Sequence, residues 1–246
     1  MTSLAGKRAF VIGGSRGIGA AIARRLASDG ADVAISYQRS ADRAEEIADE
    51  VRAKGRRAIA IQVDSADADA VKSAVNAVAA QFGGLDILVN NAGIFPSGPV
   101  EELTLEEINN VLAVNVRAVI VASQAAMAHM PDGGRIISTG SCLAERVPSA
   151  GMGLYALSKA ALVGWTKGLA RDLGPRGITV NIIHPGATNT EMNPADGPHA
   201  EVQRLRMAIP RYGRAEDVAA LVSFVAGPEA SSINGTGLTI DGGANA

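Results

Sequence analysis

Tyr155 and Lys159 stand four residues apart in Tyr155-Ala156-Leu157-Ser158-Lys159. On a helix, that spacing puts both side chains on one face. A free tyrosine titrates near about 10, too high to exchange protons readily at neutral pH. An ammonium one turn away favours the phenolate and lowers that value. The pair therefore reads as a tuned acid/base, which proton transfer at pH 7 requires. Ordinary surface helices carry the same spacing, so its meaning depends on what else the chain supplies.

The second chemical signal is near the start. Arg8-Ala9-Phe10-Val11-Ile12 is a short apolar run that reads as a buried strand. Gly13-Gly14-Ser15-Arg16-Gly17-Ile18-Gly19 follows at once. Ala20 to Ser28 then reads as a helix, with Ile18, Ile22 and Leu26 on one stripe. Strand, glycine turn and helix together make a phosphate site. The glycines allow a tight turn and close backbone approach, and the helix N-terminus offers free N–H groups and a positive dipole end to a pyrophosphate. The spacing, counted from Gly13, is Gly-x-x-x-Gly-x-Gly.

These residues need a scaffold, and the rest of the chain alternates strand and helix signals. Strands are expected at Asp32–Ser36, Ala58–Val63, Leu85–Val89, Arg135–Thr139, Ile178–Ile183 and Leu238–Ile240. Helices are expected at Ala41–Lys54, Asp67–Phe82, Thr104–Met130, Gly153–Leu173 and Arg214–Ala226. Residues 187–212 are polar and carry Pro194, Gly197, Pro198 and Pro210, the composition of a mobile lobe. Repeated βα units with short apolar strands imply a doubly wound α/β fold, a parallel sheet with helices on both faces. Ligands then bind beyond the carboxyl ends of the strands.

Composition narrows the class. The chain has 246 residues, 47% hydrophobic and 20% charged, enough for one large domain without a linker. A formal net charge of −2 without a basic stripe argues against nucleic acid as a partner. The single cysteine, Cys142, rules out an internal disulfide and fits a reducing compartment. With no signal-peptide pattern and no apolar run of membrane-spanning length, the expected location is cytoplasmic. His129, His184 and His199 are scattered, so no metal site is expected.

Polar residues gather at the expected strand ends. Asp64 closes the third strand, Asn90-Asn91-Ala92-Gly93 the fourth, and Ser138, Thr139 and Ser141 the fifth; Pro185-Gly186 and Thr190 follow the sixth. Each alone is ordinary turn chemistry, but their shared edge favours a site. Asn115 interrupts the apolar part of a long helix, where a buried amide must find partners.

Assembled in this order, these residues resemble the short-chain dehydrogenase/reductase family over nearly the whole chain, from the strand before Gly13 to Asp241-Gly242-Gly243. The resemblance implies a single Rossmann-type domain with a seven-stranded parallel sheet. It implies that Tyr155 donates a proton to a carbonyl oxygen as a nicotinamide delivers hydride to carbon. Lys159 would lower the tyrosine pKa and bond the nicotinamide ribose. Ser141 would hold the substrate oxygen, and Asn115 would anchor a water connecting Lys159 to solvent. The implied cofactor site takes in Gly13, Ser15, Arg16, Gly17, Ile18, Gly19, Tyr37, Arg39, Ser40, Asp64, Ser65, Asn91, Ala92, Gly93, Tyr155, Lys159, Pro185, Gly186, Thr188 and Thr190. Asp64 would meet the adenine, Asn91 and Gly93 the adenosine side, and Thr190 the carboxamide.

Two details depart from the family's commonest pattern. Gly13 stands where a threonine is usual, so a bond from the loop to the strand-four turn is expected to be missing. Ser141 lies fourteen residues before Tyr155 where thirteen is commonest. Cys142 would restore that spacing, but Ser141 fits the strand-end pattern better.

Ser36-Tyr37-Gln38-Arg39-Ser40 lacks the acid that would bond a ribose 2′-OH and repel a 2′-phosphate. Arg16, Arg39 and a serine hydroxyl can instead bind that phosphate, which favours NADP(H). Phe95, Leu143, Ala144, Met152, Leu154 and the 187–212 lobe would line an apolar pocket suited to a ketone with apolar flanks, reduced to its alcohol or formed from it. Some bacterial members with similar sequences act on 3-oxoacyl-acyl-carrier-protein. Others sharing the Gly-Gly-Ser-Arg-Gly-Ile-Gly start and the Ala-Gly-Pro-Glu-Ala-Ser ending bind cyclic-di-GMP, so a regulatory protein on the same scaffold is the alternative. Apolar residues nearly all round the helix at Val111–Val121 point to a surface that a partner covers. The resemblance implies a homotetramer.

Overall fold

The computed structural model describes residues 3–246. The apolar run Arg8–Ile12 forms β1, whose last four residues are buried. It leads through the glycine turn into α1 (Gly17–Ser28). Four further units follow: β2 (Asp32–Tyr37) with α2 (Ala41–Ala53), β3 (Ala58–Gln62) with α3 (Ala68–Phe82), β4 (Ile87–Asn90) with α4 (Leu105–Leu112) and α5 (Ala118–Met127), and β5 (Arg135–Thr139) with α6 (Gly153–Leu173). Then come β6 (Thr179–Pro185), the short α7 (Ala200–Arg204), α8 (Ala215–Ala226) and β7 (Gly237–Ile240).

All seven strands pair in parallel, in the order β3-β2-β1-β4-β5-β6-β7. Parallel strands buried on both faces need apolar side chains on both. One face is covered by α1, α2 and α8, where Ile22, Leu26, Ile47, Val51 and Val222 meet Val11, Val33 and Ile35. The other is covered by α3, α5 and α6, where Val71, Val78, Ala122 and Leu169 meet Phe10, Leu88 and Ile136. The strand order reverses between β1 and β4, so a crevice opens there beyond the carboxyl ends.

Helix ends show why the elements start where they do. The Asp67 carboxylate accepts from the N–H groups of Asp69 and Ala70 at the start of α3. Thr104 and Glu107 form a reciprocal capping box on α4.

Five expectations need correction. The helix over Thr104–Met130 is not regular: Ala113–Arg117 is a π-helical turn between α4 and α5, centred on Asn115. Leu105–Met127 is also a helical run of 23 residues, long and apolar enough to cross a membrane, yet more than half of its apolar stretch is buried inside the fold. A core helix passes the same test of length and composition. Pro185 lies within β6, paired with Ile240, and does not follow it. Asp64 lies two residues beyond the end of β3. Finally, the 187–212 segment is neither uniformly polar nor unanchored. It holds α7, buries Ala200 and Met207, and exposes Met192, Val202, Leu205 and Ile209.

Candidate active site

Tyr155 and Lys159 lie on the first two turns of α6. Lys159 is only 4% exposed, and its Nζ donates to the Thr139 carbonyl at 2.8 Å. No carboxylate offsets the charge there, and burial pushes the ammonium down to about 8. Nζ stands 5.7 Å from the centre of the Tyr155 ring. The edge of Phe95 covers the same ring, with centroids 4.6 Å apart and planes at 72°.

The expected direction of the tyrosine pKa is not met. Burial pushes the phenol up to about 12, while the neighbouring Ser141 hydroxyl pulls it down. Lys159 is turned towards Thr139, so its charge does not govern the phenol in this state. At neutral pH Tyr155 is a protonated acid, half-buried against Phe95.

Ser141 fits the role of a donor. It is buried in extended backbone (φ −166°, ψ 149°), and its Oγ accepts from Leu143 N–H at 3.1 Å. With that lone pair engaged, the hydroxyl proton is free to point at another acceptor. Cys142 is buried, and its thiol is pushed up to about 11, chiefly by burial. It behaves as an inert small side chain beside the site.

Asn115 is fully buried. Its Oδ1 accepts from Ile94 N–H at 2.9 Å, and its Nδ2 donates to the Ile94 carbonyl and to Ser158 Oγ, both at 3.0 Å. Ser158 Oγ in turn donates to the Tyr155 carbonyl at 2.7 Å. The amide therefore ties the loop after β4 to α6. Both of its N–H bonds are spent within the protein, so a water could reach only the remaining carbonyl lone pair. A Cβ on Gly93 would stand 3.4 Å from both Asn115 Oδ1 and Lys159 Nζ, so the three meet at one point.

The glycine loop faces this cluster across the crevice. Gly13 has φ +78°, and a Cβ there would lie 2.9 Å from Ala92 Cα. Only glycine fits that position. The link expected to be missing is present by another route. Asn91 Nδ2 donates to the Gly13 carbonyl at 2.8 Å, and Thr139 Oγ1 donates to Asn91 Oδ1 at 3.3 Å. Ser36 Oγ accepts from Gly13 N–H at 2.9 Å, which commits Ser36 to holding the loop.

The α1 N-terminus has no side-chain cap and no acid in its first turn. Its cap residue is Arg16, which is exposed, as is Arg39 after β2, and neither forms an ion pair among the described residues. Uncapped N–H donors beside two uncommitted guanidinium groups fit a phosphorylated dinucleotide. Ser15 lies in the same loop, Ile18 and Tyr37 pack against the core, Ser40 precedes α2, and Gly17 lies under Thr190, whose Cγ2 would be 3.3 Å from a Cβ at Gly17. Gly19 is buried, and a Cβ there would strike the Gly13 carbonyl at 2.0 Å. Asp64 is exposed and accepts from Ala66 N–H and Gln38 Nε2, and Ser65 follows it. Gly186 N–H donates to the Ile240 carbonyl, and Thr188 Oγ1 donates to the Gly186 carbonyl.

Three partners of the candidate residues were not expected from the sequence: Thr139 beside Lys159, Ser158 beside Asn115, and His184 behind Ser141. The available signal was a polar residue in an apolar strand (His184) and a serine three residues after Tyr155, within reach on one helix face.

Similarity to known proteins agrees with this geometry. The family described as enoyl-(acyl carrier protein) reductase matches residues 12–245. A cyclic-di-GMP-binding biofilm dispersal mediator protein of Escherichia coli is 47% identical over 242 residues, 98% of each chain. A 3-oxoacyl-[acyl-carrier-protein] reductase of Staphylococcus aureus is 38% identical, over 96% of this chain and 97% of that one. The crystal structure of a short chain dehydrogenase from Burkholderia cenocepacia, in complex with NADP, is 72% identical over 99% of each chain, with a TM-score of 0.98. The chain belongs to the short-chain dehydrogenase/reductase family of oxidoreductases.

Proposed function

We propose that this oxidoreductase uses NADP(H) to interconvert a ketone with apolar flanks and its secondary alcohol. The observation that carries the reading is the convergence of Ser141, Tyr155, Lys159 and the Asn115 tie on a crevice whose other wall is an uncapped helix N-terminus beside Arg16. The cofactor, when bound, supplies or accepts hydride. In reduction, the Ser141 hydroxyl donates a hydrogen bond to the substrate oxygen and fixes its position. The Tyr155 phenol passes its proton to that oxygen as negative charge develops there, and solvent restores the proton afterwards. Lys159, carried by a rigid helix, stabilises the phenolate left behind. In the reverse direction, Tyr155 takes the proton from the alcohol. Phe95, Leu143, Ala144, Met152, Leu154 and the exposed apolar residues of the 187–212 lobe offer the substrate no fixed charge.

Arg16 and Arg39 would hold the 2′-phosphate. Each charge-assisted bond contributes about 1.5–3 kcal/mol, so NADPH is expected to bind at least about tenfold more tightly than NADH. Fluorescence titration gives both dissociation constants, and equal values would refute the assignment. The E. coli relative motivates the alternative, a cyclic-di-GMP-binding regulator. NADPH oxidation over a ketone panel, run beside a cyclic-di-GMP titration, separates the two. Nucleotide binding with no turnover on any ketone would favour the regulator.

We also propose a homotetramer. Leu157, Ala160, Ala161, Gly164 and Gly168 form an exposed face of α6, and nothing lies within 4 Å of a Cβ built on either glycine. The Val111–Val121 stretch is partly covered within the chain, which moves the interface onto this smaller-residue face. Light scattering at micromolar concentration should give four chains per particle; a fully active monomer would rule that out.

A further inference from the structure

His184 is the penultimate residue of β6 and is 2% exposed, although nothing in the chemistry above uses it. Its ring fills a slot between two glycines. A Cβ on Gly140 would lie 2.6 Å from Nδ1, and a Cβ on Gly237 would lie 2.7 Å from Nε2. Neither glycine has a positive φ, so backbone conformation does not require glycine at either place. What requires it is the space the imidazole takes.

The ring ends on Ser141. Nδ1 is 2.9 Å from the Ser141 carbonyl oxygen and 3.3 Å from the Ser141 amide nitrogen. One neutral tautomer donates to the oxygen and the other accepts from the amide, so either one makes a hydrogen bond to this residue. The same carbonyl also accepts from Ala144 N–H at 3.0 Å. Charged or titratable groups near the ring are Lys159 and Glu145; burial and the Lys159 charge favour the neutral ring, while the Ser141 carbonyl and Glu145 oppose them. The Ser141 side chain, by contrast, accepts from Leu143 N–H and has the Tyr155 phenol as its neighbour.

We infer that His184 is a positioning residue that holds the Ser141 main chain, and through it the hydroxyl that meets the substrate oxygen. The role rests on Ser141 making that contact, as proposed above. A donor displaced by a fraction of an ångström loses alignment with the charge that develops in the transition state, where preorganisation matters most.

His184→Leu fills the slot without a polar atom. Turnover of a reducible ketone should fall about tenfold or more, with NADPH affinity and the thermal midpoint close to those of the parent. His184→Asn places an amide where Nδ1 stood and should restore most of the loss. A double-mutant cycle with Ser141→Ala makes the test specific: if His184 acts through Ser141, the second substitution adds little to the first. Additive losses, or failure of Asn to rescue while the thermal midpoint is retained, would overturn the role. If His184→Leu does not fold, the comparison of His184→Asn with His184→Gln carries the test. Gln reaches one bond further and should misplace Ser141, so equal turnover of these two would also overturn it. Full turnover by Ser141→Ala alone would instead overturn the assignment of Ser141.

Discussion

Tyr155→Phe lowers ketone turnover by about 10³-fold and leaves the dissociation constant of NADPH within about twofold. A positioned general acid contributes roughly 10²–10⁴-fold, and the substitution removes only the transferable proton. The phenylalanine ring still packs against Phe95, so the pocket keeps its shape. The pH dependence sharpens the expectation. With its pKa pushed up to about 12 in the free chain, the phenol stays protonated across the working range and reduction shows no loss of acid as pH rises to 9. Alcohol oxidation needs the phenolate, so its rate climbs with pH over the same interval. Steady-state rates in both directions, with an independent binding titration, test this. Turnover within tenfold of the parent would place the acid elsewhere.

Lys159→Met costs about 10²-fold or more in turnover, weakens NADPH binding, and stabilises the fold at neutral pH. The first two effects follow from losing the ammonium beside Tyr155. The third follows from its burial. The group falls from its ordinary 10.5 to about 8 because the charged form is desolvated. The folded chain therefore binds this proton less tightly than the unfolded chain, and below pH 8 the full penalty applies. It fades as pH rises from 8 to 10.5 and is gone above that. The penalty is on the order of 3 kcal/mol, partly offset by the bond to the Thr139 carbonyl, which methionine cannot make. Urea unfolding of both proteins at pH 7 and pH 10 should show the variant ahead at pH 7 and the gap narrowing by pH 10. A gap that widens with pH would contradict the burial account.

What could be read from the chain beforehand has physical reasons. The bounds of β1, β5 and α6 match the expected residues because an apolar run or a helical stripe ends there at glycine or polar residues. The π-helical turn left no trace, because periodicity reports which side chains are apolar and not how the backbone pairs. Asn115 was visible as a misfit, but its partners Ile94 and Ser158 come from other elements. The upward push on the Tyr155 phenol left no sign in the sequence, because spacing shows a lysine nearby and cannot show that its Nζ points to Thr139. His184 looked like one of three scattered histidines because Gly140 and Gly237, which make room for it, lie just after β5 and at the start of β7 rather than beside it in the chain.

That arrangement also constrains how the protein can change over generations. While the imidazole is present, alanine at position 140 or 237 meets a ring atom below 3 Å, so either change is blocked. Once a lineage trades His184 for a small residue, the ring no longer blocks either glycine, leaving at 140 only the movable Ile182 Cδ1 at 2.9 Å, and side chains that settle there then exclude the ring. The order of events decides which outcomes are reachable: histidine must leave first, and each filled glycine makes its return harder. Libraries that randomise 140 or 237 alone will find both positions intolerant. Varying 140, 184 and 237 together is the way to reach the alternative packings.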